Sequence, residues 1–260
     1  MRTRILTGVA ALMLALPAYP QVLSFHEDNY IVTGPSLRAG GGCDIKFQVS
    51  LRLFPVEIGE HWRGYFAYTQ LTTWDAYYRS APFHDNSYMP GIHFDGDYGS
   101  NSVRLSLEHR SNGRPYWGNL VRSEEDDFDD YSRGMNYLKV VYRRKVGNST
   151  FYGSLKAGTG VGIGDYARYS NPFSQDLYLY YLGYLALGYE YDNGTLGVRV
   201  EFTPLLSPTV GNATAELWWR FSRKLPALMV QASYGYENQC DCYEGSIPQI
   251  HVRAGFKVNL

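Results

Sequence analysis

Beyond residue 20 the sequence lacks any apolar run of the roughly 20 residues that a membrane-spanning helix needs. A mature chain of this kind enters a membrane only as a closed barrel, the other architecture that satisfies every backbone N–H and C=O in lipid. An excess of charge is also missing: 24 Lys and Arg stand against 25 Asp and Glu, a formal charge of −1. No basic surface therefore points to nucleic acid as a partner. Cysteine is scarce, with three in 260 residues, and Cys240-Asp241-Cys242 has no second ligand pair of the kind a zinc site needs.

What is present begins with MRTRILTGVAALMLALPAYP, where Arg2 and Arg4 precede an apolar run from Ile5 to Leu16. The run is too short to cross a bilayer, so residues 1–20 read as a secretory signal peptide and residues 21–260 as one domain.

Downstream, alternating segments are separated by clusters of Gly, Asn, Asp, Ser and Pro, the pattern of antiparallel strands joined by turns. Over 102–111 the charged or polar Ser102, Arg104, Ser106, Glu108 and Arg110 alternate with Val103, Leu105 and Leu107, then His109 and Ser111. Ile250, Val252, Ala254, Phe256 and Val258 alternate in the same way with His251, Arg253 and Lys257. Alternation alone suits a soluble sandwich or a membrane barrel. Tyrosine and tryptophan decide between them, because they crowd the strand ends, as in YLYYLGYLALGYEY and ELWWRF, where a barrel carries its interfacial girdles.

Twelve strands are predicted, at 28–36, 44–54, 62–75, 87–98, 101–111, 133–146, 149–160, 177–192, 194–204, 212–223, 226–238 and 247–260. The expected fold is all-β, a twelve-stranded antiparallel transmembrane β-barrel of the bacterial outer membrane. Gly99-Ser100, Gly147-Asn148 and Asn193-Gly194 read as tight periplasmic turns, and 76–86, 112–132, 161–176 and 239–246 as longer outer loops. Arg104, Glu108, Arg199, Glu201, Arg220 and Arg253 fall on the lumenal face, which reads as a packed polar interior.

This topology gathers His109, Ser111 and Asn136 on the apolar face, near the outer rim of adjacent strands. Polar groups facing lipid are costly and usually functional. The chemistry they offer is nucleophilic: Ser111 attacks a carbonyl, His109 takes its proton, and Asn136 holds the imidazole tautomer. A non-catalytic porin or structural barrel is the alternative, with these residues as interfacial polar groups where the loops begin.

On these residues the sequence resembles the outer membrane phospholipase A family, over nearly the whole mature chain. The family signature His-x-Ser-Asn-Gly-Arg followed by Ser-Arg-x-x-Asn is matched by His109-Arg110-Ser111-Asn112-Gly113-Arg114 and Ser132-Arg133-Gly134-Met135-Asn136. Asp28-Asn29-Tyr30, Lys46 to Leu51, Tyr68-Thr69-Gln70 with Trp74, Ser80 to Phe83 and Asn86 to Pro90 also look like family blocks.

The resemblance implies an outer-membrane hydrolase of phospholipid and lysophospholipid acyl esters, of A1, A2 and lysophospholipase type, that needs Ca2+ and acts as a homodimer. It implies Ser111 as nucleophile, His109 as general base and acid, Asn136 as orienting group and the Gly113 N–H as an oxyanion donor. Calcium would be held by the Arg114 carbonyl and the Ser132 hydroxyl, with the partner subunit's Ser80, all hard oxygen donors. Gln70, in line with Phe66 and Tyr68 on the apparent lipid face, reads as a lone amide pairing with a partner chain, and the resemblance puts it in the dimer interface.

One segment departs from the family: the connection from Arg114 to Ser132 is longer, and its Ser123 to Asp130 run is strongly acidic. It reads either as further calcium-binding groups or as a solvated loop. The cysteines complete the expectations. When a barrel closes, its first and last outer loops become neighbours, so Cys43 is expected to bridge to Cys240 or Cys242 in an oxidising compartment.

Overall fold

Strands that alternate polar and apolar side chains must turn one set toward a core and the other toward its solvent. The computed structural model describes residues 23–37, 42–77, 79, 83–111, 134–158, 185–203, 212–222, 224–235 and 249–258. They form β1 (Leu23–Phe25), β2 (Asn29–Pro35), β3 (Cys43–Ile58), β4 (Trp62–Trp74), β5 (Phe83–Tyr98), β6 (Asn101–Ser111), β7 (Gly134–Val146), β8 (Ser149–Gly158), β9 (Leu185–Asp192), β10 (Leu196–Thr203), β11 (Asn212–Trp219), β12 (Ala227–Gly235) and β13 (Gln249–Val258). Successive strands pair antiparallel from β2 to β13, and β13 returns to β2 to close the ring. The short β1 pairs with β3 at Leu51 to Leu53, beyond the stretch that β2 covers. β1 and β2 are thus two pieces of one stave, and the barrel has the twelve staves expected.

The pleat answers the question of solvent. Arg104, Ser106, Glu108 and Arg110 on β6 are buried, whereas Leu105 and Leu107 between them are 41% and 49% exposed. On β12, Met229, Gln231 and Ser233 are buried while Leu228 and Val230 are exposed. Polar groups inside and aliphatic groups outside invert the order of a soluble sandwich and match a barrel whose outer wall meets lipid.

Closure brings two backbones into close approach at the seam. A Cβ on Gly34 would lie 2.0 Å from the Val252 carbonyl oxygen, and one on Gly255 would lie 2.0 Å from that of Ile31. Glycine on both sides of the β2–β13 pair is therefore required by contact with main chain, which has little room to give. Gly59, Gly99, Gly147 and Gly194 take positive φ in the tight turns at one end of the barrel. The longer connections after β6, β8, β10 and β12 leave from the other end, as the alternation of loop lengths predicts.

Several strands begin or end differently from expectation. β3 continues past residue 54, because its pairing with β4 skips from Leu53 to Val56 and leaves Phe54 and Pro55 in a bulge. A proline has no N–H for the ladder, and a bulge is where a strand tolerates it. β5 begins at Phe83, since its pairing with β4 carries on to Trp74.

The lumen is filled by ion pairs. Between β1 and β2, Glu27 reaches Arg104 on β6 at 2.6 Å, and Asp28 pairs with Arg199 on β10 and, at 2.8 Å, with Lys257 on β13. Arg104 also meets Asp95 at 2.7 Å, and Arg220 grips Asp192 at 2.7 and 2.8 Å. Tyr152 donates to Glu201 at 2.9 Å. The link at residues 26–28 is therefore a hub that ties opposite walls together, and the lumenal residues named from the alternation all fall within this packed interior.

Arg253, 1% exposed, is held by Asp44 through two contacts of 2.6 Å. Removing Asp44 takes both of these close contacts from a buried guanidinium, and breaking a buried pair is strongly destabilising. Asp44→Ala is accordingly expected to lower stability by about 3–5 kcal/mol, read from urea unfolding of the barrel in lipid vesicles; a loss under about 1 kcal/mol would contradict it.

Candidate active site

β6 and β7 form a hairpin in which every residue from Asn101 to Ser111 has a partner, and the register sets His109 opposite Asn136 and Ser111 opposite Gly134. Both side chains of the first pair sit on the outer wall, in line with exposed Leu107 on β6 and Leu138 on β7. His109 Nδ1 and Asn136 Oδ1 are 2.8 Å apart. An amide oxygen can only accept, so Nδ1 is the donor, which in a neutral ring places the lone pair on Nε2. Ser111, two residues along β6, shares that face and ends the strand. The hairpin thus presents a polarised imidazole and a hydroxyl toward lipid, the pair of groups that acyl transfer requires.

Register across β5 adds a residue that the sequence reasoning did not single out. Tyr88 lies opposite Ser111, and Gln70 on β4 lies opposite Tyr88. One row thus runs Gln70, Tyr88, Ser111 around the outer wall. Counting period two back along β5 from Phe94 and Ile92 would have found Tyr88.

Gln70 does face outward, yet it is not a lone amide. Tyr68 donates to its Oε1 at 3.2 Å, its Nε2 donates to Thr72 Oγ1 at 3.2 Å, and Thr72 donates to Asn86 at 2.8 Å. The amide is thus partly engaged within its own chain and keeps one N–H and one lone pair beyond these bonds. Neighbours at i−2 and i+2 on one strand face share its direction, so they satisfy part of its capacity within the chain.

Gly113, Arg114, Ser132, Ser80, Cys240 and Cys242 lie outside the described residues, as does the acidic run 123–130. Cys43, at the start of β3, is an exposed free thiol. Among the described residues no three His, Cys, Asp or Glu side chains stand together as metal ligands. A cavity of about 390 Å3 lined by Glu57, Arg63, Asp97 and Arg143 opens at the tight-turn end, the opposite end from His109.

A closed antiparallel barrel with an apolar outer wall and a polar lumen defines the class, an outer-membrane β-barrel, here with a His–Asn pair on its outer wall. A sequence profile described as phospholipase A1 matches residues 21–247. Outer membrane phospholipase A from Escherichia coli superposes with a TM-score of 0.70 at 21% identity, over 92% of this chain and 93% of that one. The calcium-bound dimer of the Salmonella typhi outer membrane phospholipase gives 0.71 at 21% identity, over 96% of each chain. No curated protein matches significantly. The chain belongs to the phospholipase A1 family and is an outer-membrane β-barrel phospholipase, a hydrolase of lipid esters.

Proposed function

We propose that the protein is a calcium-dependent phospholipase A whose triad is Ser111, His109 and Asn136, and which acts as a homodimer. The observation that carries this reading is the 2.8 Å contact of His109 Nδ1 with Asn136 on the lipid-facing wall. Ser111 Oγ adds to the ester carbonyl of a phospholipid while its proton passes to His109 Nε2. Collapse of the tetrahedral adduct expels the lysophospholipid oxygen, which takes that proton. Water, deprotonated by the same nitrogen, then cleaves the acyl-Ser111 ester and releases the fatty acid. The Gly113 N–H supports the oxyanion. An amide as third member suits a site beside lipid, where an ionised carboxylate would be costlier to desolvate.

Ser111 and Gly134 are paired strand ends, and in the sequence residue 114 follows the first by three positions and residue 132 precedes the second by two. That supports the Arg114 carbonyl and the Ser132 hydroxyl as calcium ligands, joined by the partner subunit's Ser80, an oxygen donor set suited to this ion. Calcium, when bound, supplies positive charge beside the developing oxyanion. Gln70, in one row with Tyr88 and Ser111, is the dimer contact. Its remaining N–H and lone pair are available to a second chain. Substrates are phospholipids and lysophospholipids of the extracellular leaflet, cleaved at either acyl position.

The test is fatty-acid release from phospholipid in detergent micelles, with sedimentation of the same samples. Calcium is expected to give active dimers, and a chelator inactive monomers. Full activity in chelator would remove calcium from the reading, and an active monomer would remove the dimer.

A further inference from the structure

The reactive residues occupy the least supported end of their hairpin. Ser111↔Gly134 is its last pair, and the strands are joined there by the long connection 112–133 instead of a tight turn. On the other side, the β5–β6 register runs to Gly91↔Glu108 and resumes only at Tyr88↔Ser111, passing over Met89 and Pro90. Pro90 has no N–H to give, so the ladder lapses beside His109. Yet catalysis needs His109, Asn136 and Ser111 held to a fraction of an ångström.

The support comes from inside the barrel. Glu108 and Tyr137, the chain neighbours of His109 and Asn136, are opposed in register and point inward. Tyr137 Oη donates to Glu108 Oε2 at 2.6 Å, both residues buried. Arg110, beside Ser111, donates from Nη2 and Nε to Ser87 Oγ on β5 at 2.8 and 3.2 Å, and Ser87 is fully buried. One bond ties β6 to β7 next to the His–Asn pair; the other ties β6 to β5 next to the serine, across the lapse at Pro90. The geometry points to Glu108, Tyr137, Arg110 and Ser87 as positioning residues, a lumenal brace for the reactive groups on the opposite face of the same strands. This inference rests on the triad reading above.

Glu108 also lies 3.7 Å from Lys139 Nζ and 3.9 Å from His93 Nδ1, so its charge is the rival explanation for any effect of its loss. Glu108→Gln separates the two, since it removes the charge and keeps an acceptor for Tyr137. The readouts are phospholipid hydrolysis with calcium and the rate at which a fluorophosphonate labels Ser111, with heat-modified gel mobility confirming that each barrel is folded. Tyr137→Phe and Ser87→Ala are each expected to lower kcat and labelling roughly tenfold, with KM and the pH profile unchanged. Glu108→Gln is expected to stay within about twofold of the parent. Parental rates in folded Tyr137→Phe would overturn the brace. So would a Glu108→Gln protein as slow as Tyr137→Phe or shifted in pH profile, which would assign the effect to charge. A parent that the reagent leaves unlabelled would remove the triad itself, a failure distinct from that of the brace.

Discussion

Ser111→Ala is expected to reduce phospholipid hydrolysis by on the order of 10⁴- to 10⁶-fold, with the barrel folded as before. The alanine lacks the oxygen that forms the acyl ester, and Ser111 is the only hydroxyl residue that shares the outer face of β6 with His109 in the two-residue period next to it. Stability should not change, because Ser111 is the last residue of its strand and faces away from the ion-paired lumen. His109→Ala in the same protein should add little to the loss, since nucleophile and base act as one unit. Equal hydrolysis by parent and Ser111→Ala in calcium-containing micelles would defeat the assignment and favour a porin or structural barrel.

Asn136→Ala should cost about 100-fold in kcat with little change in KM, because it acts on the imidazole and not on lipid binding. Without the acceptor 2.8 Å from Nδ1, nothing selects the tautomer whose Nε2 is free, and the ring can turn on its strand. Asn136→Asp keeps an acceptor at the same position, so it should recover most of the lost rate despite the added charge. If Asn136→Ala keeps the parental kcat, or Asn136→Asp is as slow as Asn136→Ala, the orienting role is wrong.

Much of this site was legible in the chain because a strand has a strict period of two. Leu105 and Leu107 name the outer face of β6, which puts His109 and Ser111 on it. Leu138 and Val140 do the same for β7 and Asn136. The hairpin pairing needed only matching apolar faces, and the structure sets His109 against Asn136 in register. Gln70 shows where that reasoning stops. Its direction was readable, whereas its bonds to Tyr68 and Thr72 depend on rotamers that periodicity does not specify.

The sequence by itself determined the staves, the outward direction of His109, Ser111 and Asn136 on their strands, and the tight turns at Gly99, Gly147 and Gly194. Those properties are local, decided within one strand or one turn. Tertiary structure alone decided that Glu27 meets Arg104 and Asp28 meets Arg199 across the lumen, that Arg253 is gripped by Asp44, and that a bulge at Phe54 absorbs Pro55. It also decided that Tyr137 meets Glu108 and Arg110 meets Ser87 on the inner faces of β5, β6 and β7. Contacts between residues 77, 171 and 209 positions apart depend on the register accumulated around twelve strands and on closure at the β2–β13 seam. That sum has no local signal, because each pairing shifts every one that follows it.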